Sequence, residues 1–328
     1  MDTVRIGVLG AARIAPQALV KPANANAEVV VAAVAARDPE RAKAFATKHG
    51  IERVHDTYDA LIADPDIDAI YNPLPNGLHA PWTKAALEAG KHVLCEKPST
   101  SNAAEARDVA EVAAAHPDQV LMEAFHYRYH PFAARLREII DSGELGALQR
   151  IETWMCFPLP KFNDIRYDYG LAGGATMDVG CYTIHQARML AGEEPEVVSA
   201  VAKVQKPDVD RAMKAELRFP SGATGSVHCS MWSTSILSLG AKVVGADGEL
   251  RIRNMTMPHI LGRATVKTAG GTRSEAAPKG VTYAFQLQAF ADAVLRGAPV
   301  LTPPSDSIAN MEVIDAIYTA AGLKVRGT

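Results

Sequence analysis

The stretch Val4-Arg5-Ile6-Gly7-Val8-Leu9-Gly10-Ala11-Ala12-Arg13-Ile14-Ala15 decides the expected architecture. Residues 4–9 form an apolar run of strand length, and a helical pattern begins at Ala15. A dinucleotide fold needs a glycine where its first strand ends, a small residue two positions later beside the pyrophosphate, and a small residue three further on for helix packing. Gly10, Ala12 and Ala15 fill these positions. The turn predicts a dinucleotide site, although an ordinary tight strand–helix turn would use the same residues.

Outward from this turn, the first third of the chain alternates short apolar runs with helical patterns, which is typical of a parallel sheet. Asn102, followed three residues later by Glu105, has the spacing of a helix capping box. We therefore predict an α/β Rossmann domain over residues 1–123. Its further predicted elements are strands Glu28–Ala36, Ile67–Tyr71, His92–Cys95 and Val120–Glu123, and helices Pro39–His49, Ala80–Ala89 and Asn102–His116.

The pattern changes after residue 123, where strands follow one another with hairpin signals such as Asp247-Gly248. We predict an α+β domain over residues 124–328 with a large, mostly antiparallel sheet, used for substrate binding and oligomerisation. Two late helices, Tyr283–Arg296 and Asp306–Ala321, are expected to cover this sheet, and 269–280 is expected to be at most a surface loop. The earlier elements are helix Phe132–Asp141 and strands Leu148–Phe157, Val197–Val204, Met213–Phe219, Thr224–Met231, Ala241–Val244 and Glu249–Arg253.

Length and composition also favour two domains, because 328 residues exceed the size at which one hydrophobic core usually stops growing. Lys and Arg (34) nearly balance Asp and Glu (37), without charge runs suited to nucleic acid or a membrane surface. No apolar run reaches the ~20 residues of a membrane span, and no secretion signal precedes Val4. The four scattered cysteines suggest neither a metal site nor a disulfide framework. We expect a cytoplasmic protein with a small-molecule partner, no metal, no nucleic acid and no membrane.

The end of the second predicted strand bears on cofactor choice. An acidic residue there would accept the adenosine ribose 2′-hydroxyl of NAD. This chain has Ala36 at that place and Arg37 directly after it, and a guanidinium suits a 2′-phosphate. NADP is therefore preferred over NAD. The alternative is that Arg37 is a solvated loop residue and that Asp38 binds the ribose.

Two further segments carry groups suited to chemistry. Glu96-Lys97-Pro98 places an acid and an amine at the C-terminal end of a predicted parallel strand, where such sheets bind ligands. In Gly173-Gly174-Ala175-Thr176-Met177-Asp178-Val179-Gly180-Cys181-Tyr182, a glycine turn opens a helix on which Asp178 and Tyr182 stand four residues apart, hence on one face. Each of these side chains also has an ordinary structural interpretation: a surface lysine, a first-turn acid and a core aromatic.

Together these segments resemble the glucose-fructose oxidoreductase and inositol dehydrogenase family, known as Gfo/Idh/MocA. Ala35-Ala36-Arg37-Asp38 and the tyrosine four residues after Asp178 are similar to the branch of dihydrodiol dehydrogenases, NADP-dependent xylose or glucose dehydrogenases and glucose-fructose oxidoreductase. Inositol dehydrogenases carry histidine at the place of Tyr182, which disfavours a cyclitol substrate. The resemblance also extends to residues 74–79, Arg128-Tyr129-His130-Pro131 and 244–248.

The resemblance implies roles at the matching positions. Lys97, Tyr182 and Asp178 would be the catalytic residues, with Tyr182 as acid/base. Glu96 would hold the nicotinamide ribose, and a cis bond before Pro98 would aim Lys97. The implied substrate residues are Lys97, Arg166, Asp178 and Tyr182. The implied cofactor-binding residues are Gly10, Ala11, Ala12, Arg13, Ile14, Ala36, Arg37, Leu74, Pro75, Asn76, His79, Glu96, Lys97 and Arg128.

These roles predict reversible oxidation of a sugar or polyol hydroxyl, with the anomeric carbon of an aldopyranose as the leading site. Sugar ketone reduction and oxidation of a trans-dihydrodiol would use the same residues. A glycosidase that uses NAD transiently and a non-catalytic nucleotide-binding regulator are further alternatives. A homodimer or homotetramer through the C-terminal sheet is implied. Other polar candidates for substrate contact are Trp154, Lys161, Asn163, Asp164, Tyr167 and His185.

Overall fold

The computed structural model describes residues 2–161, 163–234 and 236–328. The chain divides into two compact units. The first unit consists of two segments, the chain up to Tyr129 and Tyr283–Ile308. The second unit consists of His130–Thr282 and Ala309–Thr328. Within the described residues, each unit has a sheet of its own.

The first unit contains a parallel sheet whose strand order is 3-2-1-4-5-6. The order reverses between the first and fourth strands, and open α/β sheets bind ligands outside the carboxyl ends of the strands at that point. The predicted α/β Rossmann architecture is confirmed. The strands are β1 (Val4–Leu9), β2 (Val29–Ala35), β3 (Arg53–His55), β4 (Ala69–Asn72), β5 (His92–Cys95) and β6 (Leu121–Glu123).

The helices begin where the sequence supplies caps. Asp38 accepts hydrogen bonds from the backbone of Glu40 and Arg41 at the start of the second helix. Asn102 accepts from the Glu105 backbone at 2.9 Å, which confirms the predicted cap. Described helices are α1 (Lys21–Asn24), α2 (Pro39–His49), α3 (Tyr58–Ile62), α4 (His79–Glu88), α5 (Ala103–Ala115), α6 (Pro131–Asp141), α7 (Cys181–Ala191), α8 (Thr282–Arg296) and α9 (Pro304–Ala320).

Helix α8 belongs to the first unit and not, as expected, to the cover of the antiparallel sheet. Tyr283, Leu287, Phe290 and Ala291 form its buried stripe, packed in one core with the β1 side chains. Such spacing buries one helix face, but it does not say which sheet receives that face. The predicted boundary after residue 123 accordingly differs from the observed division, in which 124–129 and 283–308 join the first unit.

The second unit contains a sheet ordered 14-13-12-11-7-10-9-8, antiparallel except for the seventh and tenth strands. The predicted α+β architecture with a mostly antiparallel sheet is confirmed. Helix α7 packs on one face, where Thr153 donates to the Thr183 carbonyl at 2.8 Å. The strands are β7 (Leu148–Cys156), β8 (Glu196–Lys206), β9 (Val209–Arg218), β10 (Thr224–Ser230), β11 (Ser238–Gly245), β12 (Gly248–Arg253), β13 (Arg263–Thr268) and β14 (Gly271–Ala276).

The expected surface loop at 269–280 is wrong in part, because β14 lies within it and pairs with β13. Five of the six β14 residues are exposed, so neither face of this edge strand carries the apolar alternation by which strands are predicted. Backbone pairing with β13 forms the strand instead.

Candidate active site

The carboxyl ends of the parallel strands bring several predicted residues to one edge of the first unit. Gly10 ends β1 with φ +85°, and its backbone N–H donates to the Ala35 carbonyl at 2.6 Å. A Cβ atom at Gly10 would lie 3.1 Å from Leu74 Cδ2. Because β4 ends two residues before Leu74, the β1 turn and the β4 loop meet here. The glycine leaves a backbone cradle that fits a close-lying pyrophosphate.

At the end of β2 lie the two side chains, Arg37 and Asp38, that the two cofactor interpretations assign to the adenosine ribose. Arg37 is exposed and forms no ion pair within the described ranges, although its backbone hydrogen-bonds the Tyr58 hydroxyl. Asp38 is engaged as the cap of α2. Arg41, which sequence reasoning missed, is exposed one turn along α2 and donates to the Ala11 carbonyl at 3.3 Å. Burial raises the pKa of Tyr58, and the charges of Arg37 and Arg41 both oppose that rise. Since the Tyr58 hydroxyl would lie 3.6 Å from a Cβ atom at Gly10, two guanidinium groups stand near the Gly10 turn. Arg41 lies in the first turn of α2, whereas Arg37 precedes the cap of that helix, so helical spacing in the sequence did not place the two side chains together.

Glu96 follows β5 and is buried. The Tyr71 hydroxyl donates to its Oε1 atom at 2.6 Å. Burial raises the pKa of Glu96, while the Tyr71 hydrogen bond and the neighbouring Lys97 charge oppose that rise. Tyr71 was not predicted, although a tyrosine inside a fully buried strand needs a partner for its hydroxyl.

His79 begins α4 and lies in the interior of the first unit, 1% exposed. Its Nδ1 lies 2.7 Å from the Pro98 carbonyl and its Nε2 lies 2.6 Å from the Leu74 carbonyl. Burial lowers the pKa of His79 to about 4, although both carbonyls favour a protonated ring. His79 therefore braces two loops at the carboxyl edge, and direct contact with a ligand is not needed to explain its position.

Lys97 is partly exposed at the end of β5, and its peptide bond to Pro98 is cis, as the resemblance implies. The Ser99 backbone donates to buried Glu123 at 2.8 Å. Arg128 follows β6 and is partly exposed. Of the other predicted cofactor residues at this edge, Ala36 is buried, Arg13 is exposed, and Ala11, Ala12, Ile14, Pro75 and Asn76 are partly exposed.

In the second unit, Asp178 and Tyr182 lie along one turn and the helix that follows it, and Arg166 lies in a separate short 3-10 turn, Ile165–Tyr167. Arg166 Nε donates to Asp178 Oδ1 at 3.0 Å, and Arg166 Nη1 lies 3.1 Å from Asp164. Asp178 lies in a wider π-helical turn, Thr176–Gly180, that leads into α7. Tyr182 follows near the start of α7 and is 6% exposed. A carboxylate held by a guanidinium therefore precedes a buried phenol by one helical turn.

Two of the additional polar candidates have other roles. The Tyr167 hydroxyl donates to the Leu159 and Met231 carbonyls at 3.1 and 3.3 Å, which engages it in holding the chain. Trp154 lines a groove of about 370 Å³ on the sheet face opposite α7, where Arg251, Arg253 and Arg263 are also found. Alternation along β7 directs Trp154 away from the Thr153 side, which faces α7.

Comparison with known proteins supplies the family. A family model described as an oxidoreductase family with an NAD-binding Rossmann fold matches residues 4–124, and the GFO/IDH/MocA C-terminal domain matches residues 133–251. The chain belongs to the Gfo/Idh/MocA oxidoreductase family. It is 38% identical over 318 residues to a D-xylose 1-dehydrogenase (NADP(+)) of Haloferax volcanii, with 96% of each chain covered.

Two further members of the family are similar along most of their length. A trans-1,2-dihydrobenzene-1,2-diol dehydrogenase from Mus musculus is 35% identical over 264 residues, covering 79% of this chain and 76% of that protein. The crystal structure of a 3-ketoreductase from Actinomadura kijaniata, in complex with NADP and TDP-benzene, superposes with a TM-score of 0.89 at 30% identity. It covers 97% of this chain and 98% of its own.

The Gfo/Idh/MocA chain is accordingly an oxidoreductase enzyme with a Rossmann domain. Among its described helices, none is long and apolar enough to cross a membrane. The described part of the chain also contains no group of three His, Cys, Asp or Glu side chains able to hold a metal ion.

Proposed function

We propose that the enzyme is an NADP-dependent dehydrogenase that oxidises a sugar hydroxyl, with the anomeric carbon of an aldopyranose as the site of oxidation. The observation that carries the proposal is the arrangement of Arg166, Asp178 and Tyr182, which sets a phenol one turn after a fixed carboxylate. Similarity to the xylose dehydrogenase over 96% of both chains supports the substrate class.

The residues of the first unit fit the cofactor. The Gly10 turn suits the pyrophosphate, and Arg37 with Arg41 suits the 2′-phosphate. Glu96, its carboxylate held by Tyr71, suits a nicotinamide ribose hydroxyl. Asp38, as a helix cap, is a poor competitor for the adenosine ribose. When bound, NADP supplies a nicotinamide ring that accepts a hydride.

The oxidation divides between a hydride and a proton. The C1–H bond of the sugar gives up its electron pair with the hydrogen, the C1 hydroxyl loses its proton, and a lactone results. We assign the proton to Tyr182. A free phenol has a pKa near ~10 and is a poor base at neutral pH, so the ammonium group of Lys97 is assigned to favour its ionised form. Asp178 orients the substrate hydroxyl.

Two related reactions are the second candidates, because similar proteins carry those names: oxidation of a trans-dihydrodiol and reduction of a sugar ketone. A screen of purified enzyme distinguishes them by the absorbance of the reduced nicotinamide, with aldoses, polyols and dihydrodiols supplied with NADP or NAD, and keto sugars supplied with NADPH or NADH. Fastest NADPH formation with an aldose supports the proposal. Turnover confined to dihydrodiols or keto sugars contradicts it.

We also propose that the open face of the eight-stranded sheet joins two copies. Arg253 and Arg263 stand opposite each other across β12 and β13, and among the described residues neither has an acidic partner. Opposed like charges are unfavourable. Glu152 on the same face is paired with Arg150 at 2.7 Å but stays partly exposed, so a two-fold-related copy would present this carboxylate to the arginines. Arg253→Glu should reduce the mass found by sedimentation to that of one chain, whereas the exposed control Lys48→Glu should not. An unchanged mass in Arg253→Glu contradicts this interface.

Finally, we assign the enzyme to the cytoplasm. Its four cysteines are all free and buried, which fits a reducing compartment. Localisation of a tagged chain by cell fractionation tests this assignment, and recovery in a secreted fraction contradicts it.

A further inference from the structure

A buried ion pair lies beside the glycine turn that precedes the proposed acid/base. Arg326 and Asp210 are both 0% exposed, and Arg326 Nη2 lies 3.0 Å from Asp210 Oδ1. The guanidinium carbon lies 4.0 Å from the centre of the Tyr318 ring and 5.1 Å from that of Tyr169. We call Arg326, Asp210, Tyr318 and Tyr169 the Arg326 clamp.

The Arg326 clamp bonds directly to the turn. Arg326 Nε donates to the Gly173 carbonyl at 2.6 Å. Asp210 Oδ2 accepts from both the backbone N–H and the hydroxyl of Thr176, each at 2.7 Å. The two charged groups thus hydrogen-bond the turn at its start, Gly173, and at its end, Thr176.

The same glycine turn is hydrogen-bonded to two of the proposed site residues, Arg166 and Asp178. The Gly174 N–H donates to the Arg166 carbonyl at 2.8 Å, and the Asp178 N–H donates to the Gly174 carbonyl at 3.0 Å. Gly174 has φ +133°, and a Cβ atom there would overlap Asp210 Oδ1. The fit between the turn and the clamp therefore leaves no room for a side chain.

A buried ion pair is an expensive way to attach a chain segment, because desolvation of two charges offsets much of their attraction. Replacement of a buried ion pair by well-packed apolar side chains of similar volume is often neutral or stabilising. What the charged pair adds is direction, since each of its hydrogen bonds fixes one atom of the turn. This favours a role in alignment over one in general stability.

We propose that Arg326 and Asp210 are positioning residues that hold Asp178 and Tyr182 in register for proton transfer. This inference rests on the proposed function of Tyr182. Both residues are fully buried, so they act through the turn and not by contact with substrate. Misplacement of a reacting group by about 1 Å can lower turnover roughly 10²-fold, so a modest shift of the turn suffices for a large effect.

The test uses Arg326→Met, the milder Arg326→Lys, and the double variant Arg326→Met/Asp210→Asn, which leaves no unpaired buried charge if the single variant fails to fold. Leu250→Ala is the matched control, because it opens a cavity in the same unit without touching the turn. Measurements are kcat and KM for the sugar, the dissociation constant of NADP, the melting temperature, and hydrogen exchange of residues 173–182.

We expect each folded clamp variant to lower kcat, by roughly 10²-fold in Arg326→Met, with NADP affinity unchanged and exchange of residues 173–182 increased. Leu250→Ala should lower the melting temperature while keeping kcat and the exchange of 173–182. Unchanged exchange in the clamp variants, or a loss of kcat equal to that in Leu250→Ala at matched melting temperature, overturns the inference. Increased exchange with full activity in Tyr182→Phe would instead reject the proposed acid/base while retaining the clamp.

Discussion

At the scale of single residues, the proposed chemistry depends on one phenol. Tyr182→Phe keeps the ring and removes the hydroxyl, and Lys97→Met keeps most of the stem and removes the charge. Each variant should lower kcat by about 10²–10⁴-fold, the usual contribution of a positioned acid/base, while NADP still binds. The losses should not multiply in the double variant, because residues that act as a unit are non-additive.

Single-turnover kinetics with NADP and the best sugar measures these losses. The melting temperatures of the variants serve as the control for folding. Turnover by Tyr182→Phe within a few-fold of the parent, when chemistry limits the rate, would transfer the acid/base role to another group. His185, less than one turn further along α7, is then the next residue to test.

Cofactor preference is a second property of single residues. Arg37→Ala should raise KM for NADP on the order of ten- to a hundredfold and leave KM for NAD nearly unchanged, because a charge-assisted contact to the 2′-phosphate is lost. Asp38→Ala is the matched control. It should lower the melting temperature through loss of the α2 cap without changing the ratio of the two KM values. Equal losses with both cofactors in Arg37→Ala contradict the assignment.

From the raised pKa of Glu96 we predict that lowering the pH changes the stability of the fold and the affinity for NADP in opposite directions. Burial raises its pKa in the folded chain, so protonation of Glu96 stabilises the fold as pH falls through the raised value. The same protonation removes the negative charge that strengthens the hydrogen bond from a ribose hydroxyl. NADP affinity should therefore fall in the pH range where this group's contribution to the free energy of unfolding rises. Glu96→Gln should lose both effects, as measured by cofactor titration and urea unfolding across pH. If Glu96→Gln still loses affinity for NADP at low pH, another titrating group is responsible.

At the scale of elements, local signals in the sequence predicted the helix ends that local capping interactions determine. Pro39–His49 is a helix in both the prediction and the structure, because Asp38 caps its start and Gly50 takes a left-handed conformation at its end. The placement of α8 was not predictable in this way. Its apolar stripe indicates that one helix face is buried. Which sheet that face packs against depends on contacts between residues more than 250 positions apart.

The assignment of α8 to the first unit has a measurable consequence. Leu287→Ala should reduce the free energy of unfolding by about 2–5 kcal/mol, because Leu287 is 1% exposed in the core that contains β1. Hydrogen exchange should increase in residues 4–9 and not in β9 or β10. Val281→Ala, at a 43% exposed position just before the helix, should change neither quantity appreciably. Exchange that increases first in the second unit contradicts the assignment.

At the scale of the whole molecule, the order of motifs predicted more than any single one. Gly10, Glu96-Lys97-Pro98 and the Gly173–Tyr182 segment were each open to an ordinary interpretation, yet their succession indicated the family that the comparisons show. The Arg326 clamp left no such signal, because Arg326 and Asp210 are separated by more than 100 residues and neither lies in a motif. Tyr71 and Arg41 were missed because their roles depend on neighbours that only folding supplies.

The central claim is net hydride transfer from C1 of an aldopyranose to NADP. The most direct measurement supplies the enzyme with NADP and the best aldose of the screen, deuterated at C1, and determines the mass of the reduced cofactor at high conversion. The account predicts NADPH that carries the deuterium in amounts equal to the sugar consumed, with the rate lowered by the label when chemistry limits turnover. Sugar consumption without accumulation of NADPH, or NADPH that carries no deuterium, would contradict it.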